Sequence, residues 1–99
     1  MIEKLTSKDI LKMIRKEADK LKKEGVKKIG LFGSYSKNQQ KQKSDIDFLV
    51  EFDKIDVDNY FNVLFLLEKT FKKKIDLVIE KNLVPELKYI KNEVEYVEL

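Results

Sequence analysis

Cysteine and histidine are both absent from the 99 residues of this chain, and proline occurs only once. Without cysteine the chain can form neither disulfides nor a thiolate–zinc site, and without histidine it has no Ser–His machinery for nucleophilic catalysis. Any catalysis must therefore depend on carboxylates, lysine, arginine, hydroxyls or a metal ion that oxygen atoms hold.

Long apolar runs are also missing. No stretch approaches the roughly 18 apolar residues that a membrane span needs, and the charged start MIEKLTSKDILK lacks the apolar core of a signal peptide. The length fits a single domain over residues 1–99, and 42% hydrophobic residues suffice for a small core. We therefore expect a cytoplasmic, single-domain protein that does not enter membranes.

The charge is unevenly distributed along the chain. Residues 1–43 carry 13 basic and 5 acidic side chains (net +8), whereas residues 44–99 carry 8 basic and 13 acidic ones (net −5). A basic half beside an acidic half is typical of a site where a polyanion and metal cations meet. The simpler interpretation, which we favour for most of these lysines, is that they solubilise the first helix.

Hydrophobic periodicity predicts the secondary structure. A first helix runs from about residue 7 to about 24, between a capping box at Thr6–Asp9 and a stop at Gly25. Strands are predicted over 26–32, 45–53, 75–79 and 94–97, with a helix from Asp56 or Asp58 to about residue 71 and a short helix at Pro85, Leu87 and Ile90. The order α-β-β-α-β-α predicts an α+β fold, in which helices pack on one face of a small mixed sheet.

Three aspartates stand on predicted strands, where this residue type is disfavoured. Asp45 and Asp47 point the same way because they are two residues apart, and Asp76, between Ile75 and Leu77, must point away from the apolar face. If the two strands are neighbours, the three carboxylates converge and repel one another unless a cation lies among them. Oxygen ligands suit Mg²⁺ or Mn²⁺. The alternative is that Asp45-Ile46-Asp47 is only the solvent face of an edge strand.

A glycine-serine pair follows the first predicted strand. Backbone N–H groups at Gly33 can approach a phosphate closely, the hydroxyl of Ser34 adds a donor, and Lys37 lies in the polar loop behind them. A phosphate cradle thus precedes an acidic pair by about a dozen residues. This layout is typical of phosphoryl and nucleotidyl transferases, in which metal ions neutralise a triphosphate.

The segment LFGSYSKNQQKQKSDIDFLVEF (residues 31–52) resembles the signature of minimal nucleotidyltransferases, the MNT type of the DNA polymerase β superfamily. KKIDLVIE (73–80) resembles the family's third-carboxylate strand. The resemblance implies that Gly33, Ser34 and Lys37 bind the nucleotide, that Asp45, Asp47 and Asp76 hold the catalytic metals, and that Asp76 also helps to deprotonate the attacking hydroxyl. Ser36-Lys37-Asn38 departs from the family's Ala-Arg-Gly, and lysine lacks the bidentate fork of arginine.

The resemblance further implies a partner and a reaction. Members are often encoded beside a HEPN-domain ribonuclease toxin, and some silence it as an antitoxin by transferring AMP from ATP to one of its tyrosines. Two alternatives stay open: an antitoxin that neutralises its partner by binding alone, and a basic nucleic-acid binder. We rank the nucleic-acid binder last because the lysines lack an aromatic platform beside them.

Two aromatic features also have more than one interpretation. Tyr35, beside the Gly-Ser pair, could stack on a base or cover the core. The helix beginning near Asp56 has a stripe predicted to be buried, which comprises Val57, Tyr60, Phe61, Leu64, Leu67 and Phe71. Val63, Phe65 and Leu66 add further apolar surface, which indicates either a partner or dimer surface or burial under the last helix.

Overall fold

The computed structural model of the chain describes residues 5–33, 35–36, 45–54, 56–80 and 94–99. In order along the chain its elements are α1 (Ser7–Lys16), α2 (Ala18–Lys23), β1 (Val26–Phe32), β2 (Ile46–Phe52), α3 (Val57–Phe71), β3 (Ile75–Ile79) and β4 (Glu95–Glu98). β1 and β3 have the predicted bounds, and β2 is one residue shorter at each end. The short helix predicted at Pro85 falls outside the described residues.

The first helical segment begins as predicted but is interrupted. The Thr6 side chain accepts a hydrogen bond from the Asp9 backbone N–H, and the Asp9 carboxylate accepts one from the Thr6 N–H, which completes the capping box. The single helix predicted over residues 7–24 is wrong at Glu17, where φ −95° and ψ 9° leave the α-helical range. The N–H of Glu17 bonds to the Ile14 carbonyl at 3.0 Å, as in a tighter 3₁₀ turn, so α1 ends there and α2 begins.

The four described strands form one mixed sheet in the order β3-β2-β1-β4. β1 pairs antiparallel with both β2 and β4, whereas β2 and β3 are parallel. The parallel pair is possible because α3 carries the chain from the end of β2 back to the start of β3. This topology makes β2 and β3 direct neighbours, which is the condition that the carboxylate prediction required.

The hydrophobic core lies between the helices and one face of the sheet. It is built from α1, α2, α3 and the inward side chains of the strands: Ile10, Ile14, Leu21, Ile29, Leu31, Ile46, Phe48, Val50, Val63, Leu67, Ile75, Leu77 and Val97. Since strand side chains alternate, Asp47 and Asp76 lie on the other face. The predicted α+β architecture, with a mixed sheet and helices on one face, is confirmed for the described elements. None of the helices in this part of the chain is both long and apolar enough to cross a membrane.

The buried side of α3 differs from the predicted stripe. Val57 and Phe61 were expected in the core but are 69% and 44% exposed, whereas Val63 is fully buried together with Leu67. Contacts with the sheet set the rotation of α3 about its own axis. One of them is the hydrogen bond that the hydroxyl of Tyr60 donates to the Leu77 carbonyl in β3, at 2.6 Å. A helix that is apolar on more than one side leaves this choice to its tertiary partner.

A polar cluster joins the two outer strands across the sheet. The Tyr96 hydroxyl donates to Glu80 Oε1 at 3.0 Å, and Lys28 Nζ lies 3.8 Å from Glu80 Oε2 and 4.3 Å from the centre of the Tyr96 ring. Burial, then the hydrogen bond to Glu80, raises the pKa of Tyr96 to about 12. Gly30 lies next to this cluster, and a Cβ there would overlap the side chains of Val94 and Tyr96. These contacts hold β4 against the sheet.

Candidate active site

The turn after β1 touches the carboxylate of β2. Gly33 has φ +77°, in the left-handed region that favours glycine, and a Cβ at this position would overlap the carboxylate of Asp47. The Ser36 hydroxyl donates to the Gly33 carbonyl at 2.8 Å and closes the turn. The backbone of the predicted phosphate cradle therefore lies directly beside the predicted metal ligand. Ser34 and Lys37, the other predicted nucleotide contacts, lie outside the described residues.

Two of the three predicted carboxylates are cross-strand partners. In the parallel register of β2 and β3, Asp47 lies opposite Asp76, on the face of the sheet away from the helices. Phe32, the last residue of β1, is the partner of Asp47 on its other side. Asp45 is exposed and comes directly before β2. The alternative of a solvent-facing edge strand does not hold for β2, which has a neighbour on both sides.

The electrostatics of Asp47 reflect this crowding. Its pKa is raised from 3.8 to about 6, first by burial and then by the negative charges of Asp76 and Asp45, and a hydrogen bond between the Asp47 and Asp76 carboxyls adds to the effect. Each of these causes disfavours the ionised form of Asp47. A bound cation would favour the ionised form of Asp47, because it compensates the negative charges of Asp76 and Asp45.

The three candidate carboxylates are of the kind that binds a hard metal ion, but they are not arranged to coordinate one ion together. All three candidate ligands offer oxygen, as Mg²⁺ and Mn²⁺ prefer. Within the described ranges, no group of three or more Asp, Glu, His or Cys side chains is spaced to hold a metal ion. Asp47 and Asp76 are in contact, and the charge of Asp45 acts on Asp47 more weakly than that of Asp76. Coordination of one metal ion by all three carboxylates therefore requires these side chains to rearrange.

Two side chains near the site were not predicted to belong there. Lys73 follows α3, and its Nζ lies 5.9 Å from the centre of the ring of Tyr35, two residues beyond Gly33. Tyr35 itself is 2% exposed and belongs to the core, so it covers the core and does not offer its face to a base. The charge of Asp76 helps to raise the pKa of Tyr60, after the larger effect of burial. Sequence spacing carried no signal for either contact, because both depend on how β3 docks.

The candidate active site thus combines a turn against one carboxylate with a pair of carboxylates in register. The sequence profile of the family described as polymerase beta, nucleotidyltransferase, matches residues 12–95. The chain belongs to this family. The resemblance seen in the segments at 31–52 and 73–80 is thereby confirmed, and the nucleotidyltransferase fold agrees with the observed sheet.

The relatives of this nucleotidyltransferase include proteins named as protein adenylyltransferases. A candidate protein adenylyltransferase of Methanocaldococcus jannaschii, MJ1379, is 37% identical over 94 residues, which cover 91% of this chain and 92% of that protein. The protein adenylyltransferase MntA of Thermococcus cleftensis is 36% identical over 75 residues, covering 74% and 76% of the two chains.

A solved structure supports the fold of this family member. It contains a tri-AMPylated HEPN toxin of Shewanella oneidensis in complex with an MNT antitoxin; the match has a TM-score of 0.60 and 21% identity, and covers 87% of this chain and 70% of that one. At this identity the likeness extends to the fold alone.

Proposed function

We propose that this nucleotidyltransferase transfers AMP from ATP to a hydroxyl, a tyrosine in the first instance, of a HEPN-domain protein, and thereby acts as its antitoxin. The observation that carries the proposal is the register that places Asp47 opposite Asp76, with the Gly33 turn against Asp47. The names of the two adenylyltransferase relatives support AMP as the transferred group. Because the donor is ATP, we expect the reaction to take place in the cytoplasm.

We assign the roles of the residues from the sequence prediction and from the positions of those that the structure describes. The backbone at Gly33, with Ser34 and Lys37 from the sequence prediction, holds the triphosphate. Asp45, Asp47 and Asp76 would hold Mg²⁺ or Mn²⁺. When bound, the metal neutralises charge on the α-phosphate and on the departing pyrophosphate. This charge compensation also removes the repulsion that raises the pKa of Asp47.

The transfer itself needs an aligned acceptor and a place for its proton. The acceptor oxygen attacks the α-phosphorus, the bond from that phosphorus to pyrophosphate breaks, and the hydroxyl proton passes to the carboxylate of Asp76. Asp76 is suited to this role because it is exposed, so that an incoming side chain can reach it. Most of the rate enhancement comes from positioning and charge stabilisation, as in other phosphoryl transfers.

The test is a transfer assay with α-labelled ATP, Mg²⁺, the purified chain and the HEPN-domain protein encoded beside it. We expect label on the HEPN protein with the native chain, and its loss with Asp47→Asn. The matched control is Asp53→Asn, which removes an exposed carboxylate just beyond the end of β2 and should keep full transfer. No labelling by the native chain, or equal labelling by Asp47→Asn, would refute the proposal.

A second measurement separates transfer from protection by binding alone. Cells that express the HEPN protein should be protected by the native chain and not by a folded Asp45→Asn/Asp47→Asn double variant. Full protection by that variant would show that the chain neutralises its partner by complex formation, whatever its transferase activity.

A further inference from the structure

The outer side of α3 carries a ridge of large apolar side chains. Val57, Phe61 and Phe65 are 69%, 44% and 59% exposed, and their spacing of four residues aligns them along the helix. The rings of Phe61 and Phe65 are stacked, with centroids 5.9 Å apart. A groove of about 340 Å³ between the start of α3 and Ile79 continues this apolar surface. Three such side chains in one row mark an interaction surface, which we call the α3 ridge.

The charges around the α3 ridge are self-complementary. Between 53 and 58, at the start of the helix, there are three aspartates and one lysine; between 68 and 74, at its end, there are four lysines and one glutamate. At 100° per residue, Asp58 and Lys69 flank the ridge on the same side at opposite ends, and both are exposed. An antiparallel copy of α3 therefore brings each acidic end against a basic end. It also brings Phe61 of one copy against Phe65 of the other.

We infer that the α3 ridge binds a second copy of this chain, with the two α3 helices antiparallel about a two-fold axis. Such an axis repeats each contact, so that Asp58 of either copy meets Lys69 of the other. A helix of 15 residues is about 22 Å long. A pair of this length buries on the order of 1,000 Å², at the lower limit for a specific interface. We therefore expect a weak dimer with a dissociation constant in the micromolar range.

The position of the ridge is compatible with a dimer in which both candidate active sites stay accessible. α3 packs on the core face of the sheet, and the ridge lies on the exposed side of α3. Asp47 and Asp76 lie on the opposite face of the sheet. A dimer through the ridge leaves Asp47 and Asp76 of both copies uncovered, because they lie on the other face of the sheet. The inference therefore does not depend on the proposed transfer activity.

The test is sedimentation equilibrium of the full chain over a range of micromolar concentrations. We expect a monomer–dimer equilibrium for the native chain and a monomer for Phe65→Asp, with unchanged far-UV circular dichroism. Lys12→Asp, an exposed charge change on α1, is the control and should keep the dimer. A native chain that is monomeric throughout, or a dimer that survives Phe65→Asp, would overturn the inference.

Charge exchange tests the antiparallel arrangement. Asp58→Lys and Lys69→Asp should each weaken the dimer several-fold, and the double variant should restore it, because the exchanged charges again face each other. Failure of the double variant to recover would overturn the antiparallel pairing. If the HEPN-domain protein binds the native chain, and loses that binding with Phe65→Asp, the ridge is a contact for that partner instead.

Discussion

Replacing Asp47 with asparagine should stabilise the metal-free protein above pH 6. The pKa of Asp47 is raised from 3.8 to about 6, so the folded state binds a proton more tightly than the unfolded chain does. Between these two pH values the folded state carries more protons, and the free energy of unfolding therefore falls as the pH rises. Above pH 6 the native chain bears the full cost of the ionised carboxylate, and the asparagine variant does not.

The size of the effect follows from the same shift. At about 1.4 kcal/mol per pKa unit the upper bound is about 3 kcal/mol. Asp47 is only partly buried, and water screens its charge, so we expect about 1 kcal/mol. The difference between variant and native chain should be present at pH 7.5 and shrink towards zero near pH 4.

Urea unfolding followed by circular dichroism, with EDTA present, measures this difference at several pH values. Asp53→Asn, at an exposed position, should change the free energy of unfolding by less than about 0.5 kcal/mol at every pH. Adding Mg²⁺ should stabilise the native chain and not Asp47→Asn, since a ligand that binds the folded state raises its stability. A variant that is no more stable than the native chain at pH 7.5 would refute the reasoning.

Two further predictions concern the turn and its neighbouring cation. Gly33→Ala should destabilise the fold by about 1–2 kcal/mol, because of its positive φ, and should abolish AMP transfer, because the added methyl displaces the Asp47 carboxylate. Gly25→Ala, also at positive φ but with no atom closer than 3.6 Å to the new methyl, should lose stability and keep transfer; equal transfer by both variants would contradict the role of the turn. Lys73→Ala should raise the KM for ATP several-fold with little change in kcat, because it removes a cation near the ring of Tyr35, two residues beyond the Gly33 turn. Lys74→Ala, at an exposed position, should change neither. An unchanged KM for Lys73→Ala would exclude Lys73 from nucleotide binding.

Local patterns along the chain determined much of the fold. The short apolar segment over residues 75–79, which only Asp76 interrupts, predicted the bounds of β3, and the Thr6–Asp9 pair predicted the start of α1. Both predictions were possible because they depend on neighbours within a few residues. The aspartates were recognisable as candidate ligands for the same reason, since carboxylates on strands conflict with local preference.

Tertiary structure decided what those patterns left open. The parallel register that sets Asp47 opposite Asp76 is a contact between segments about 30 residues apart, and no periodicity within either strand encodes it. The rotation of α3, which leaves Phe61 and Phe65 exposed, was settled by which of its apolar sides the sheet could bury. Strand pairing and helix packing depend on surfaces that exist only after the chain has folded. The candidate active site and the α3 ridge could therefore be located only in the tertiary structure.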